Sequence, residues 1–89
     1  MTQYEFDELI NECQGKIGIN EKHLANDLSE FIKMGIIPKL ENDGKTKTVF
    51  YKIPIENIIN NDLMTIEIGF KMLEHGWQKK DNNFILIIK

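Results

Sequence analysis

The chain predicts an α+β fold, a compact single domain of order α-α-β-β-α-β-β. Its first sign is a unit used twice, an amphipathic helix, a stop glycine and then a hairpin, over Leu28–Ile53 and again over Gly69–Ile88. The second sign is size, since 89 residues sustain one modest core and hence one domain spanning 1–89. The third is composition: 42% hydrophobic and 28% charged residues suit a packed globule rather than a disordered chain.

The first helix is expected from Thr2 to Gln14, with Phe6, Leu9, Ile10 and Cys13 at helical spacing as its buried stripe. Thr2 and Glu5 have the spacing of a capping box, and Gly15 ends the helix. Glu5, Glu8 and Glu12 then share the solvent face. After the short 15–19 connection, Asn20 caps a second helix reaching about Met34. Its apolar stripe reads as Leu24, Leu28, Phe31 and Ile32, which puts His23, Asp27 and Glu30 on the opposite, solvated side. Gly35 is its stop.

A hairpin follows, with strands near Ile36–Leu40 and Lys45–Ile53 and a turn at 41–44, where Asp43-Gly44 supplies positive φ. Along the second strand Val49, Tyr51 and Ile53 alternate with Thr48, Phe50 and Lys52. Pro54 opens a third helix whose stripe reads Ile55, Ile59, Leu63, Ile66, Phe70 and Leu73. The Asn60-Asn61-Asp62 cluster marks a break, with Asp62 as cap of the main part. Gly76 stops the helix. A last hairpin pairs Trp77–Lys80 with Phe84–Ile88. That final strand is apolar on both faces, so a homodimer through it or through the third helix is expected as a way to cover it.

Function classes narrow by what the chain offers. It holds two histidines, one cysteine, one serine and no arginine. Cys13 falls on an apolar stripe, where thiols are ordinarily inert. His75 precedes a stop glycine, as histidines that support a helix C-terminus do. No metal-ligand spacing or phosphate loop is present, and Gly15-Lys16 follows a helix rather than a strand. The expectation is no catalytic residues, no cofactor and no metal. With no basic–apolar leader, no apolar run of spanning length and a lone cysteine, a cytoplasmic protein away from membranes is expected.

Charge is uneven. Residues 1–33 carry seven acids and three lysines, a net of −4, while 34–89 carry seven acids and eight lysines, a net of +1. Glu5, Glu8 and Glu12, joined by Asp27 and Glu30, are expected to form one acidic face that complements a basic surface on another protein. Trp77, the only tryptophan, follows the stop Gly76 as Ile36 follows Gly35 and reads first as a core residue; the alternative is an apolar anchor of that contact, a role the Phe84–Ile88 strand also offers, with Tyr4 a weaker candidate.

Residues 20–53 resemble the recognition helix and wing of winged-helix proteins: an amphipathic helix, a Gly-Ile-Ile exit, a lysine-bearing hairpin and a closing Tyr-x-Ile strand. The resemblance implies DNA binding, with Lys22, His23, Asn26 and Lys33 in the major groove and Lys39, Lys45 and Lys47 on phosphate. Size, acidity and the thin catalytic inventory are similar to small immunity proteins and phage-encoded inhibitors of nucleases. Because Glu21, Asp27 and Glu30 oppose a phosphate backbone, the first expectation is an inhibitor-type protein-binding module that occludes a basic, nucleic-acid-handling surface. Winged-helix-like DNA binding is the alternative.

Overall fold

The computed structural model describes residues 1–12 and 21–88. The expected roles of Cys13, Gly15, Asn20 and the 15–19 connection lie outside the described residues. Helix α1 spans Gln3–Glu12. Its capping box forms as the spacing predicts: Glu5 N donates to Thr2 Oγ1 at 3.1 Å, and Thr2 N donates to Glu5 Oε1 at 3.0 Å. Phe6 and Leu9 are its buried residues.

Helix α2 spans Glu21–Lys33. It closes with a Schellman motif about Gly35, at φ 84°. There Ile36 N donates to Phe31 O and Gly35 N to Ile32 O, each at 2.9 Å. The same pair of bonds recurs at the end of the last helix, α4, Ile66–Glu74. Trp77 N donates to Met72 O and Gly76 N to Leu73 O, each at 3.1 Å, with Gly76 at φ 107°. In both motifs the apolar pair that accompanies the cap is buried, Phe31 with Ile36 and Met72 with Trp77.

Strand β1 (Lys39–Asp43) pairs with β2 (Thr48–Pro54), and β3 (Gln78–Lys80) with β4 (Asn83–Ile88). All pairs are antiparallel and the sheet order is β1-β2-β4-β3. Each unit thus contributes one outer and one inner strand, and the two inner strands run antiparallel. This is the arrangement of a two-fold axis normal to the sheet. Between the hairpins lie a short helix α3, Ile55–Ile59, and then α4.

The register Ile53↔Phe84 and Tyr51↔Leu86 places one apolar row beneath the helices. There Phe31, Trp77, Phe84 and Phe6 form a chain of rings with centroids 5.2, 5.5 and 5.6 Å apart. Helix α4 carries contacts to both other long helices. Leu9 of α1 lies so near Gly69 that an added Cβ would meet its Cδ2 at 2.7 Å. Asp27 and Glu30 of α2 reach His75 and Lys71, so α2 runs antiparallel to α4. No helix among the described residues is long and apolar enough to cross a membrane.

Several expectations are corrected. The first hairpin turns at Gly44–Lys47 rather than 41–44, and the positive φ falls on Lys47, at 55°. The Asp43 carboxylate accepts from Lys45 N at 3.0 Å, which lets Asp43 finish β1 instead of entering the turn. The break expected at Asn60-Asn61-Asp62 is present and divides the third helix into α3 and α4, but its cap differs. The cap of α4 is Thr65, whose Oγ1 accepts from Ile68 N at 3.2 Å, not Asp62. That cap puts Ile66 at the first helical position, facing out, and leaves Leu63 exposed before the helix. Pro54 precedes α3 as its N-cap rather than opening it. Strand β4 is an inner strand, paired with β2 along its length and with β3 over Asn83–Ile85.

Candidate functional site

Helix α1 lays its buried stripe on α4, which turns the Glu5–Glu8–Glu12 row outward beside the start of α4. Tyr4, Glu5, Glu8, Leu9, Glu12 and Ile66 line one groove of about 160 Å³ there. Tyr4 is 72% exposed and Ile66 52% exposed. The groove therefore joins three carboxylates to two uncovered apolar side chains, with Leu9 as its floor. The hydrogen bond from the Thr2 backbone N–H holds the Glu5 carboxyl below its ordinary value, and the Thr2 hydroxyl adds to the effect. Glu5 is thus committed both to capping α1 and to the charge of the groove.

A different cluster lies inside. Asp27 is 1% exposed. It accepts from Trp77 Nε1 at 3.0 Å, and His75 Nδ1 lies 2.9 and 3.0 Å from its two oxygens. A carboxylate at Asp27 accepts from the Nδ1–H tautomer of His75. The His23 ring stacks on His75 with centroids 3.9 Å apart and planes 5° from parallel. A buried carboxylate with two N–H donors is satisfied. It ties the middle of α2 to the end of α4, a positioning role that requires no substrate. Among the described residues no group of three potential metal ligands is assembled.

The acidic face is therefore smaller than the sequence suggests. Glu5, Glu8 and Glu12 come together. Asp27 does not join them, because two buried donors draw it inward, and Glu30 is engaged by Lys71 at 3.5 Å. Trp77 is buried as the residue after the Gly76 cap, so it is no surface anchor. Ile32, placed by the sequence in the core, is exposed instead, since α2 is rotated to bring Asp27 and Phe31 inward.

Of the residues implied by the winged-helix resemblance, Asn26, Lys33, Lys39, Lys45 and Lys47 are exposed. His23 is half-buried against His75. Lys22 lies in the first turn of α2, and its side chain falls outside the described residues.

The residue missed by sequence reasoning is Ile66. The signal was Thr65, whose capping position makes the next side chain the first of the helix, clear of the packed stripe. The chain matches no protein-family model, no curated protein and no solved structure.

Proposed function

We propose that this protein is a protein-binding module that docks a basic segment of a partner in the α1 groove and thereby occludes it. The observation that supports the reading is the single groove shared by Glu5, Glu8 and Glu12 with exposed Tyr4 and Ile66. Carboxylates with exposed charge steer a basic partner and set register, while uncovered apolar side chains supply the contact that lowers the off-rate. A basic surface held this way is withheld from nucleic acid, which is the inhibitor-type action expected from composition.

The test reverses Glu8 and Glu12 to Lys, sparing Glu5 because it caps α1. Wild-type and variant protein are used as bait in nuclease-treated lysate, and captured proteins are identified by mass spectrometry. A stoichiometric partner held by wild type, with association slowed about tenfold or more in the variant and no longer salt-dependent, is the expected result. Equal capture by both proteins would reject the groove.

DNA binding through α2 and the first hairpin is a second reading, supported by exposed Asn26, Lys33, Lys39, Lys45 and Lys47. It expects Lys45→Gln/Lys47→Gln to weaken DNA binding and flatten its salt slope. Absence of binding to duplex DNA at low salt would end it.

A further inference from the structure

Strand β1 stands at the end of the sheet order β1-β2-β4-β3 and pairs only with β2. Its outer edge thus presents backbone groups with no strand beside them among the described residues. The cross-strand partners Leu40↔Tyr51 and Tyr51↔Leu86 form one row on the face that the helices cover. Cover fades along that row: Leu86 is 4% exposed, Tyr51 half-buried and Leu40 59% exposed. The apolar row runs out to the sheet edge and ends in solvent at Leu40.

The charges of β1 lie on the other face. Lys39 and Glu41 flank Leu40 and so project opposite to it, and Glu41 lines a cleft there with Phe50, Lys52 and Ile85. Lys39 lies directly across from Lys52, which is bonded to Glu41 at 3.3 Å. Lys39 itself is in no ion pair among the described residues. Like charges directly opposite destabilise a strand pair, and a carboxylate on the outer side of Lys39 would offset that.

We infer that β1 pairs antiparallel with β1 of a second copy of this chain, about a two-fold axis through Leu40 and normal to the sheet, so that the two sheets join edge to edge. Charge selects the register. In a two-fold antiparallel pair, residues directly opposite share a face, so each available register centres on one residue. Centring on Lys39, Glu41 or Asp43 sets that charge against itself, and centring on Asn42 sets Glu41 against Asp43. Centring on Leu40 sets Lys39 against Glu41 of the second copy, twice by symmetry, and Leu40 against Leu40. The apolar row then continues across the axis from Leu86 and Tyr51 of one copy to Tyr51 and Leu86 of the other. Pro38 falls opposite Asn42 and ends the ladder, because it has no N–H to donate. The surface shares no residue with the α1 groove, so the inference stands apart from the groove's own partner. One short strand pair is a small interface, which sets the expected Kd on the order of 100 μM.

A disulfide trap tests the register. Leu40→Cys and Asn42→Cys are each made in a Cys13→Ser background, checked for folding by circular dichroism, and oxidised with diamide at a protein concentration of about 200 μM, near the expected Kd. Position 40 meets itself across the axis, within disulfide reach. The two copies of position 42 stand about 14 Å apart, beyond it. A linked dimer is expected to form about tenfold faster or more from position 40. Equal rates from the two positions would overturn the inference.

Sedimentation velocity over a concentration series reads the equilibrium. Wild type is expected to approach the mass of a dimer and no more. Lys39→Glu sets like charges opposite each other twice and is expected to weaken dimerisation about tenfold or more. Lys39→Glu/Glu41→Lys restores both cross-axis pairs with their charges exchanged, keeps an acid beside Lys52, and is expected to recover wild-type affinity. Wild type that stays monomeric up to about 1 mM, growth past the dimer, or a double exchange no tighter than Lys39→Glu would each overturn the inference.

Discussion

Trp77 donates its indole N–H to Asp27 at 3.0 Å, joining residues 50 apart in the chain. The bond links the middle of α2 to the residue that follows the second Schellman cap. Together with His75 it gives the buried carboxylate two donors. Removing the acceptor leaves both donors unpaired in the interior. Asp27→Ala is therefore expected to cost about 3 kcal/mol and Asp27→Asn less, since an amide oxygen still serves one donor. Trp77→Phe should show coupling with Asp27→Ala in a double-mutant cycle, read from urea unfolding. Additive losses would mean that the bond does not form.

The two helix stops carry positive φ, 84° at Gly35 and 107° at Gly76. An L-residue there is strained whatever space surrounds it. Gly35 makes the cleaner probe, because nothing lies within 4 Å of an added Cβ. Gly35→Ala is expected to lower stability by about 1–2 kcal/mol through backbone strain alone. Thermal unfolding measures it, and no change in midpoint would contradict the cap.

Close approach of α1 to α4 depends on Gly69. An added Cβ there would meet Leu9 Cδ2 at 2.7 Å and Met1 Cε at 3.3 Å. Leu9 is buried and has little room to give. Overpacking costs about 1–3 kcal/mol, against about 1 kcal/mol that Ala gains over Gly in a helix. Gly69→Ala is thus expected to be neutral to destabilising in wild type, and stabilising once Leu9→Ala has removed the obstacle. Chemical denaturation of the four proteins in this cycle shows whether the sign changes.

Acid should loosen the start of α1. The Glu5 carboxyl is held below its ordinary value of 4.5 by the Thr2 backbone N–H and then the Thr2 hydroxyl. A depressed folded value means that its contribution is full above 4.5 and is lost as pH falls through the lower folded value. Protection factors of amides at the first turn of α1, which correct for the slowing of intrinsic exchange in acid, should fall in that window. Thr2→Ala should make the same amides exchange faster at neutral pH and remove most of the acid dependence.

The elements of this fold are legible where local chemistry dominates. Gly35 and Gly76 mark helix ends because a left-handed residue is needed at each. Thr2 and Glu5 mark a start because their side chains reach each other's backbone. The 48–53 alternation reads directly as a strand, half-buried along its length and closing on buried Ile53. What stays hidden depends on distant partners. Asp27 looks solvated in any hydropathy pattern, because the donors that allow its burial are contributed by His75 and Trp77 at the other end of the chain. Placing Asp27 outside also puts Ile32 in the core, although it is 58% exposed. The Asp43-Gly44 pair suggested a tight turn, yet the Asp43 carboxylate bonds Lys45 N and the chain turns over the next four residues. Of the candidate site, the α1 carboxylates were readable from spacing alone. Ile66 was not, because its exposure follows from which residue caps α4.

The most direct test of the groove as a docking surface is a photo-crosslinking amino acid placed at Tyr4, with Thr46 in the exposed first hairpin turn as control. Irradiation in source-cell lysate is predicted to give a discrete protein adduct from position 4, lost in the Glu8→Lys/Glu12→Lys background, and no such adduct from position 46. Equal, diffuse labelling from both positions, or a position-4 adduct indifferent to the charge reversal, would contradict the account.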